Sequence, residues 1–152
     1  MEFDFRELPV LKDWMLQTEP PMDADAYITH CVSLTDALVL AEFMMPSFVL
    51  VKGCVLRSAI YDPVNFEDWW SAVSGDTVQI EHVLNRLCVW DYFDFSCDVE
   101  ERALWRLAEL IAECWLSRAQ QQFPDREFVS EVVDIYGPTV IITQREEPVS
   151  QP

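Results

Sequence analysis

The chain has 152 residues, a formal net charge of −17, and a composition that is 51% hydrophobic and 12% aromatic. This much apolar material excludes wholesale disorder, and the length suits one domain with a real hydrophobic core. The charge disfavours nucleic acid and anionic membranes as partners, because both repel an acidic surface. It favours cationic partners instead.

The N-terminus and the cysteines predict the compartment. The first five residues are acidic and lack a basic flank followed by an apolar run, so they do not form a secretory signal. No apolar run approaches the length that spans a bilayer. The five cysteines are odd in number and lie mostly among apolar neighbours. Free buried thiols in a reducing cytoplasm are therefore expected.

The first third of the chain predicts one clear helix. In residues 1–16, Phe3 and Phe5 alternate with acids as in a short strand, and a helical turn could start at Pro9. Residues 17–25 are expected to form a loop or arm. Ser33 and Asp36 form a capping-box pattern ahead of a helix over 34–45. Because this helix has only two charged residues, it is expected to be buried on most sides.

Two apolar β-rich runs follow, over 48–51 and 54–56, on either side of Lys52-Gly53. A tight hairpin with a positive φ at Gly53 explains this arrangement. The alternative is one longer strand with a bulge at Gly53.

Two short helices come next in the sequence. Asn65 is placed to cap a helix over 66–73, which Ser74-Gly75 closes. Asp76 is placed to cap a second helix, whose apolar stripe continues as far as Leu87 and Cys88.

The strongest prediction is a long amphipathic helix over 98–122, with Asp98 as its cap. Its broad apolar face makes it a central packing element, and we expect Trp105 and Trp115 to belong to the core. A second hairpin follows, with strands over 128–135 and 139–144.

These elements predict a single α+β domain over residues 1–147. About four antiparallel strands, from two hairpins that could join into one sheet, would pack against about four helices. Residues 148–152 are expected to be a disordered tail.

Signatures of common chemistry are absent from the sequence. Only three glycines occur, and neither GxGxxG nor GxxxxGK[ST] is present, which disfavours nucleotide-binding loops. The only histidines are His30 and His82, and no CxxC or HxxxH spacing indicates zinc. The acids around residues 91–101 do not match a calcium-binding loop. We therefore predict no cofactor, no metal site and no catalytic residue, although paired carboxylates cannot be judged from spacing alone.

The charge is unevenly distributed along the chain. Residues 26–61 hold two acids and two bases, whereas residues 62–101 hold ten acids and one base. Within this acidic stretch the run 90–95 interleaves aromatic rings with carboxylates. Aromatic rings provide contact area at low entropic cost, and carboxylates pair with Arg or Lys of a partner. The predicted partner surface consists of Trp69, Trp70, Trp90, Asp91, Tyr92 and Asp94.

The leading functional hypothesis is a non-enzymatic binding protein that engages a basic partner protein. Its profile is similar to that of small acidic bacterial immunity proteins or antitoxins, a likeness of charge and size and not of motif. One alternative is a small-molecule enzyme with carboxylates or a Cys/His pair in a pocket. A second alternative is a nucleic-acid mimic, whose carboxylates would be spaced like phosphates. A homodimer is compatible with all three.

Overall fold

Residues 2–146 are described by the structure, a computed structural model, and form an α+β fold in two separate antiparallel sheets. The helices are α1 (Pro9–Met15), α2 (Ala24–Cys31), α3 (Leu34–Met44), α4 (Pro63–Ala72), α5 (Thr77–Leu84) and α6 (Asp98–Gln122). The strands are β1 (Phe48–Val51), β2 (Cys54–Arg57), β3 (Arg86–Cys88), β4 (Phe128–Asp134) and β5 (Pro138–Gln144). The predicted tail over 148–152 lies outside the described residues.

The main core lies between α6 and the three-stranded sheet of order β3–β5–β4. The predicted long helix is confirmed, and its buried residues recur at helical spacing, from Leu104 through Ala108 and Ile111 to Trp115. Trp115 is buried as predicted. Trp105 is only half-buried and lines a surface cavity, so its assignment to the core is wrong.

The start of α6 differs from the prediction. Asp98 is the first helical residue, and the N-cap is Cys97, which makes no side-chain capping bond. Instead, the backbone N–H and the hydroxyl of Ser96 both donate to the Glu100 carboxylate, each at 2.7 Å. These hydrogen bonds lower the pKa of Glu100.

Both predicted hairpins are present. Lys52 and Gly53 have φ of 48° and 83°, which gives the tight two-residue turn between β1 and β2 and excludes the bulged single strand. The second hairpin pairs β4 with β5 through a turn at Tyr136 and Gly137, which also have positive φ.

The prediction of one four-stranded sheet is wrong. The β1–β2 hairpin stays separate, and the second hairpin gains a third strand, β3, in the register Arg86↔Ile141. Leu87 and Cys88 belong to this strand and not to the helix before it. Five strands and six helices therefore replace the predicted four and four.

Two side chains of the segment around α5 join the two sheets. The Asn85 amide donates to the carbonyl oxygens of Val55 in β2 (2.7 Å) and Ile142 in β5 (3.2 Å). The Glu81 carboxylate accepts from the backbone N–H groups of Val55 (2.7 Å) and Gln144 (2.6 Å). These buried side chains satisfy strand edges that no neighbouring strand pairs, which explains why the sheets do not merge.

A second, smaller core lies on the other side of this junction. Helices α4 and α5 pack against the β1–β2 hairpin through Cys54, Leu56, Phe66 and Ile80, all of which are buried. Residues 2–146 thus contain two hydrophobic clusters, and the β1–β2 hairpin contributes buried residues to both.

The N-terminal part consists of short helices. The helical turn predicted at Pro9 is α1, whereas the predicted strand near Phe5 is a 3-10 turn over Phe5–Glu7. Helix α2 was not predicted; it packs against α1 through an edge-on contact between Trp14 and Tyr27 at 5.2 Å. Across residues 2–146, no helix has both the length and the hydropathy needed to cross a membrane.

Helix α3 begins with the predicted capping box, because Ser33 and Asp36 each accept a bond from the other's backbone N–H. Its predicted burial is wrong. No residue of α3 is buried, and Leu34 and Val39 are 77% and 63% exposed. The charge-poor sequence indicated a helix that needs apolar contacts, but within residues 2–146 those contacts are made only at its C-terminal end.

Candidate functional site

The acidic aromatic segment, residues 89–97, connects β3 to α6. Val89 is fully buried, and Trp90 and Phe93 pack against the main core. The backbone N–H groups of Tyr92 and Phe93 both donate to the carbonyl of Val89, so the segment starts as a 3-10 turn over Val89–Asp91. Val89, Trp90 and Phe93 are therefore held inward, and the side chains at 91, 92, 94 and 95 are exposed.

The outward set combines two rings and two carboxylates. Tyr92 is 59% exposed and Phe95 is 47% exposed, and Asp91 and Asp94 are exposed beside them. Within residues 2–146 neither carboxylate takes part in an ion pair. The segment therefore presents apolar contact area flanked by negative charges that have no intramolecular cation.

The turn between β4 and β5 fixes the position of Trp90. A Cβ placed on Gly137 would lie 2.6 Å from Cδ1 of the Trp90 ring, closer than real Cβ contacts allow. The φ of Gly137 is +137°, a conformation that residues with a side chain rarely adopt. Gly137 thus lets the indole ring lie directly on the turn.

Arg57 is a buried cation close enough to Tyr92 for the two side chains to interact electrostatically. The guanidinium of Arg57 stacks on the Trp115 ring at 4.3 Å, and its Nε has no hydrogen-bond partner within residues 2–146. Burial lowers the pKa of Arg57 to about 10, and the charge of Tyr92 opposes this shift only in part. The Tyr92 ring also contacts Phe43 of α3, with centroids 5.4 Å apart. The exposed ring is thus packed on one side and has a defined orientation.

An apolar cavity of about 350 Å³ adjoins the acidic aromatic segment. It lies between the N-terminal residues 3–8 and the face of α6, and its wall includes Phe5, Phe93 and Leu107. Asp94 and Glu100 contribute carboxylates to the same lining. This groove would accept the aliphatic stem of a long cationic side chain while its charged end reaches a carboxylate.

A second cavity, of about 400 Å³, lies beside the first and is more polar. Glu2, Glu7 and Glu109 line it together with Arg102 and Arg106. Neither cavity is lined by a histidine or a cysteine, so their linings offer no Cys/His pair for the enzymatic alternative.

The two tryptophans of α4 lie apart from the rest of the predicted surface. Trp70 packs against the second cluster, beside Phe66, and Lys52 lies over its ring at 5.0 Å. Trp69 is half-buried on the same helix. Trp90 and its neighbours instead pack against the main core. The structure therefore brings together Trp90, Asp91, Tyr92 and Asp94 and does not add the α4 tryptophans to them.

The sequence patterns did not predict two parts of this site: Phe95 and the groove beside Asp94. Phe95 belongs to the run 90–95 and could have been included from its alternation with acids. The groove depends on how residues 3–8 lie across α6, which no local pattern reveals.

The described residues give little support to nucleophilic or metal chemistry. Among them, no group of three or more His, Cys, Asp or Glu side chains is placed to hold a metal ion. Burial, with the nearby charges of Glu81 and Asp76, raises the pKa of Cys54 to about 11, so this thiol stays protonated. His30 and His82 are both exposed.

No protein-family model matches the chain, and neither the curated proteins nor the solved structures provide a match.

Proposed function

We propose that the protein is a non-enzymatic binding protein whose acidic aromatic segment engages a basic partner protein. The observation that supports this proposal is the exposure of Tyr92 and Phe95 beside the carboxylates of Asp91 and Asp94, neither of which forms an ion pair within residues 2–146. Exposed aromatic rings in a fixed orientation are typical anchors of protein interfaces.

The adjoining groove supports the same partner chemistry. An Arg or Lys side chain of the partner would lay its methylene stem against Phe93 and Leu107 and direct its charge to Asp94. The net charge of −17 would attract such a partner over long range and accelerate association at low salt. Neutralising a basic toxin, as immunity proteins and antitoxins do, is one role that this chemistry would serve.

A pull-down at low and high salt tests the proposal, followed by titration of the protein it retains. Tyr92→Ala is expected to weaken binding by about tenfold or more, because it removes the central ring. The double variant D91N/D94N is expected to weaken binding by a similar factor and to reduce its salt dependence.

The matched control is D13N/D25N, which removes two exposed carboxylates in α1 and α2 and changes the net charge equally. If the control weakens binding as much as D91N/D94N, total charge and not this segment is responsible. If no basic protein is retained at low salt, the proposal is wrong.

A further inference from the structure

Helix α3 exposes an apolar surface that carries few charges. Of its eleven residues only Asp36 and Glu42 are charged, and none is buried. Leu34, Leu38 and Val39 are 77%, 58% and 63% exposed. Exposed apolar side chains in a contiguous patch mark an interaction surface in proteins of this size.

The helix is held to the rest of the fold at one end only. Phe43 and Met44 pack against the main core, and the indole N–H of Trp115 donates to the carbonyl of Phe43 at 3.1 Å. The free end is closed by the capping box of Ser33 and Asp36. An isolated helix of this length is marginal in water, because its stability comes mainly from packing of an apolar face. We therefore expect another apolar surface to pack against the exposed side of α3.

The distribution of charge along the chain indicates what kind of partner binds α3. A basic protein would gain from carboxylates, and α3 offers few: Asp36 already accepts bonds from Ser33, which leaves Glu42. Two copies of a chain with a net charge of −17 repel each other over most of their surfaces. The neutral stretch 26–61 is where a second copy can approach with the least repulsion.

The spacing along α3 fits a helix pair. Leu34, Leu38 and Ala41 recur at intervals of three and four residues on one side, and Met45 continues the row just beyond the helix. The small side chain of Ala41 permits the close approach of 8–10 Å between axes that packed helices adopt. In a two-fold dimer each copy contributes the same face to the interface, so one apolar row along α3 can form both sides of the contact.

We propose that α3 pairs with α3 of a second copy of this chain, antiparallel about a two-fold axis, to form a homodimer. Helix α2 extends the contact through Ile28, which is 59% exposed. The contact would bury Leu34 and Leu38 of α3 together with Ile28 of α2, all three of which are exposed.

Sedimentation equilibrium of the full chain over a wide concentration range tests the dimer. A dimer has twice the chain mass of 17.7 kDa. Leu38→Asp places a carboxylate at the centre of the paired face and is expected to weaken dimerisation by about a hundredfold or more. Val64→Asp is the matched control, since Val64 is exposed on α4, far along the chain from α3. It is expected to leave the dimer intact.

Salt separates this proposal from the binding of a basic partner. Raising the salt concentration should strengthen the dimer, because screening reduces the repulsion between two acidic chains, whereas it should weaken a complex with a basic protein. Circular dichroism establishes that each variant is folded.

Each result decides between the alternatives. A folded L38D monomer beside dimeric wild type and V64D supports the α3 pair. A wild-type chain that is monomeric at all concentrations, or L38D that remains as dimeric as V64D, overturns it. The dimer is measured by the mass of this chain alone, and the basic-partner proposal by retention of a second protein, so failure of one is distinguishable from failure of the other.

Discussion

The carboxylate of Glu81 accepts hydrogen bonds from the backbone N–H of Val55, at 2.7 Å, and from the backbone N–H of Gln144. Val55 and Gln144 lie in different sheets. A buried carboxylate with several donors takes the place of a neighbouring strand for both sheets. Helix α5 therefore connects the two sheets through the side chain of Glu81. The stability of the fold should depend strongly on this one side chain.

Replacing Glu81 with Ala is expected to lower the free energy of unfolding by roughly 2–5 kcal/mol, because two buried N–H groups lose their acceptor. Urea denaturation measures the change. Glu67→Ala is the control: it removes a carboxylate from the exposed pair with Lys52 and should cost less than about 1 kcal/mol. Equal costs for the two variants would contradict the role assigned to Glu81.

The pH dependence of stability should also report on Glu81. Burial raises the pKa of this carboxyl above its ordinary value of 4.5, although hydrogen bonds from Gln144 and Val55 oppose the shift. A group whose folded pKa is raised contributes stability that is complete below the unfolded pKa and is lost as the pH rises through the folded pKa. The amide side chain of the E81Q variant does not titrate in this pH range. The free energy of unfolding of wild type, minus that of E81Q, should therefore fall as the pH rises above 4.5.

Urea denaturation at several pH values gives this difference, in which the contributions of the other carboxylates cancel. A difference that rises with pH would show that the fold favours the ionised form of Glu81, and a constant difference would show that folding does not shift its pKa; either result contradicts the prediction.

Local sequence patterns predicted the helices and turns whose conformation is determined by their own residues. The helix Asp98–Gln122 was predicted because no Gly or Pro interrupts it and its apolar residues recur at helical spacing from Leu104 to Ala119. Gly53 likewise marks a turn that needs positive φ. Strand β3 was missed because its three residues continue the apolar spacing of α5, and only pairing with β5 makes them extended. The separation of the sheets depends on Glu81 and Asn85, whose contacts are 26 to 63 residues away in sequence.

For the candidate site, too, local sequence patterns predicted some features, and contacts distant in sequence determined others. Alternation of rings and acids predicted that Asp91 and Asp94 face solvent, because adjacent side chains in an extended or turn segment diverge. Trp69 and Trp70 were grouped with them by charge and position in the sequence, but α4 packs on the other hydrophobic cluster. Composition indicates that α3 needs apolar neighbours and does not indicate whether this chain provides them.

Gly137→Ala should disturb the acidic aromatic segment through Trp90. The added methyl group would lie 2.6 Å from the indole ring, and Ala is strained at a φ of +137°. We expect the free energy of unfolding to fall by about 2–5 kcal/mol. Thermal unfolding followed by circular dichroism measures the stability of the variant.

Tyr136→Gly, at the preceding position of the same turn, is the control for this prediction. Tyr136 also has a positive φ, of 58°, and is 94% exposed, so Gly should change the stability by less than about 1 kcal/mol. If G137A is as stable as Y136G, the turn is able to move away from Trp90 and does not fix the ring.

Trp115→Phe should loosen α3 from the rest of the fold. The substitution keeps most of the buried ring but removes the N–H that donates to the carbonyl of Phe43 at 3.1 Å. We expect a loss of about 1–3 kcal/mol in stability, since that carbonyl then lacks its donor. Faster hydrogen exchange at the amides of α3 should accompany it, because the helix has few other contacts with the core.

Hydrogen exchange read by mass spectrometry resolves α3 from α6 and shows where the change occurs. Trp105→Phe is the matched variant, because Trp105 lies on the same helix but lines a surface cavity away from Phe43. It should leave exchange in α3 unchanged. If α3 exchanges equally fast in W115F and W105F, the Trp115–Phe43 bond does not anchor the helix. In that case Phe43 and Met44, which pack against the main core, carry the attachment.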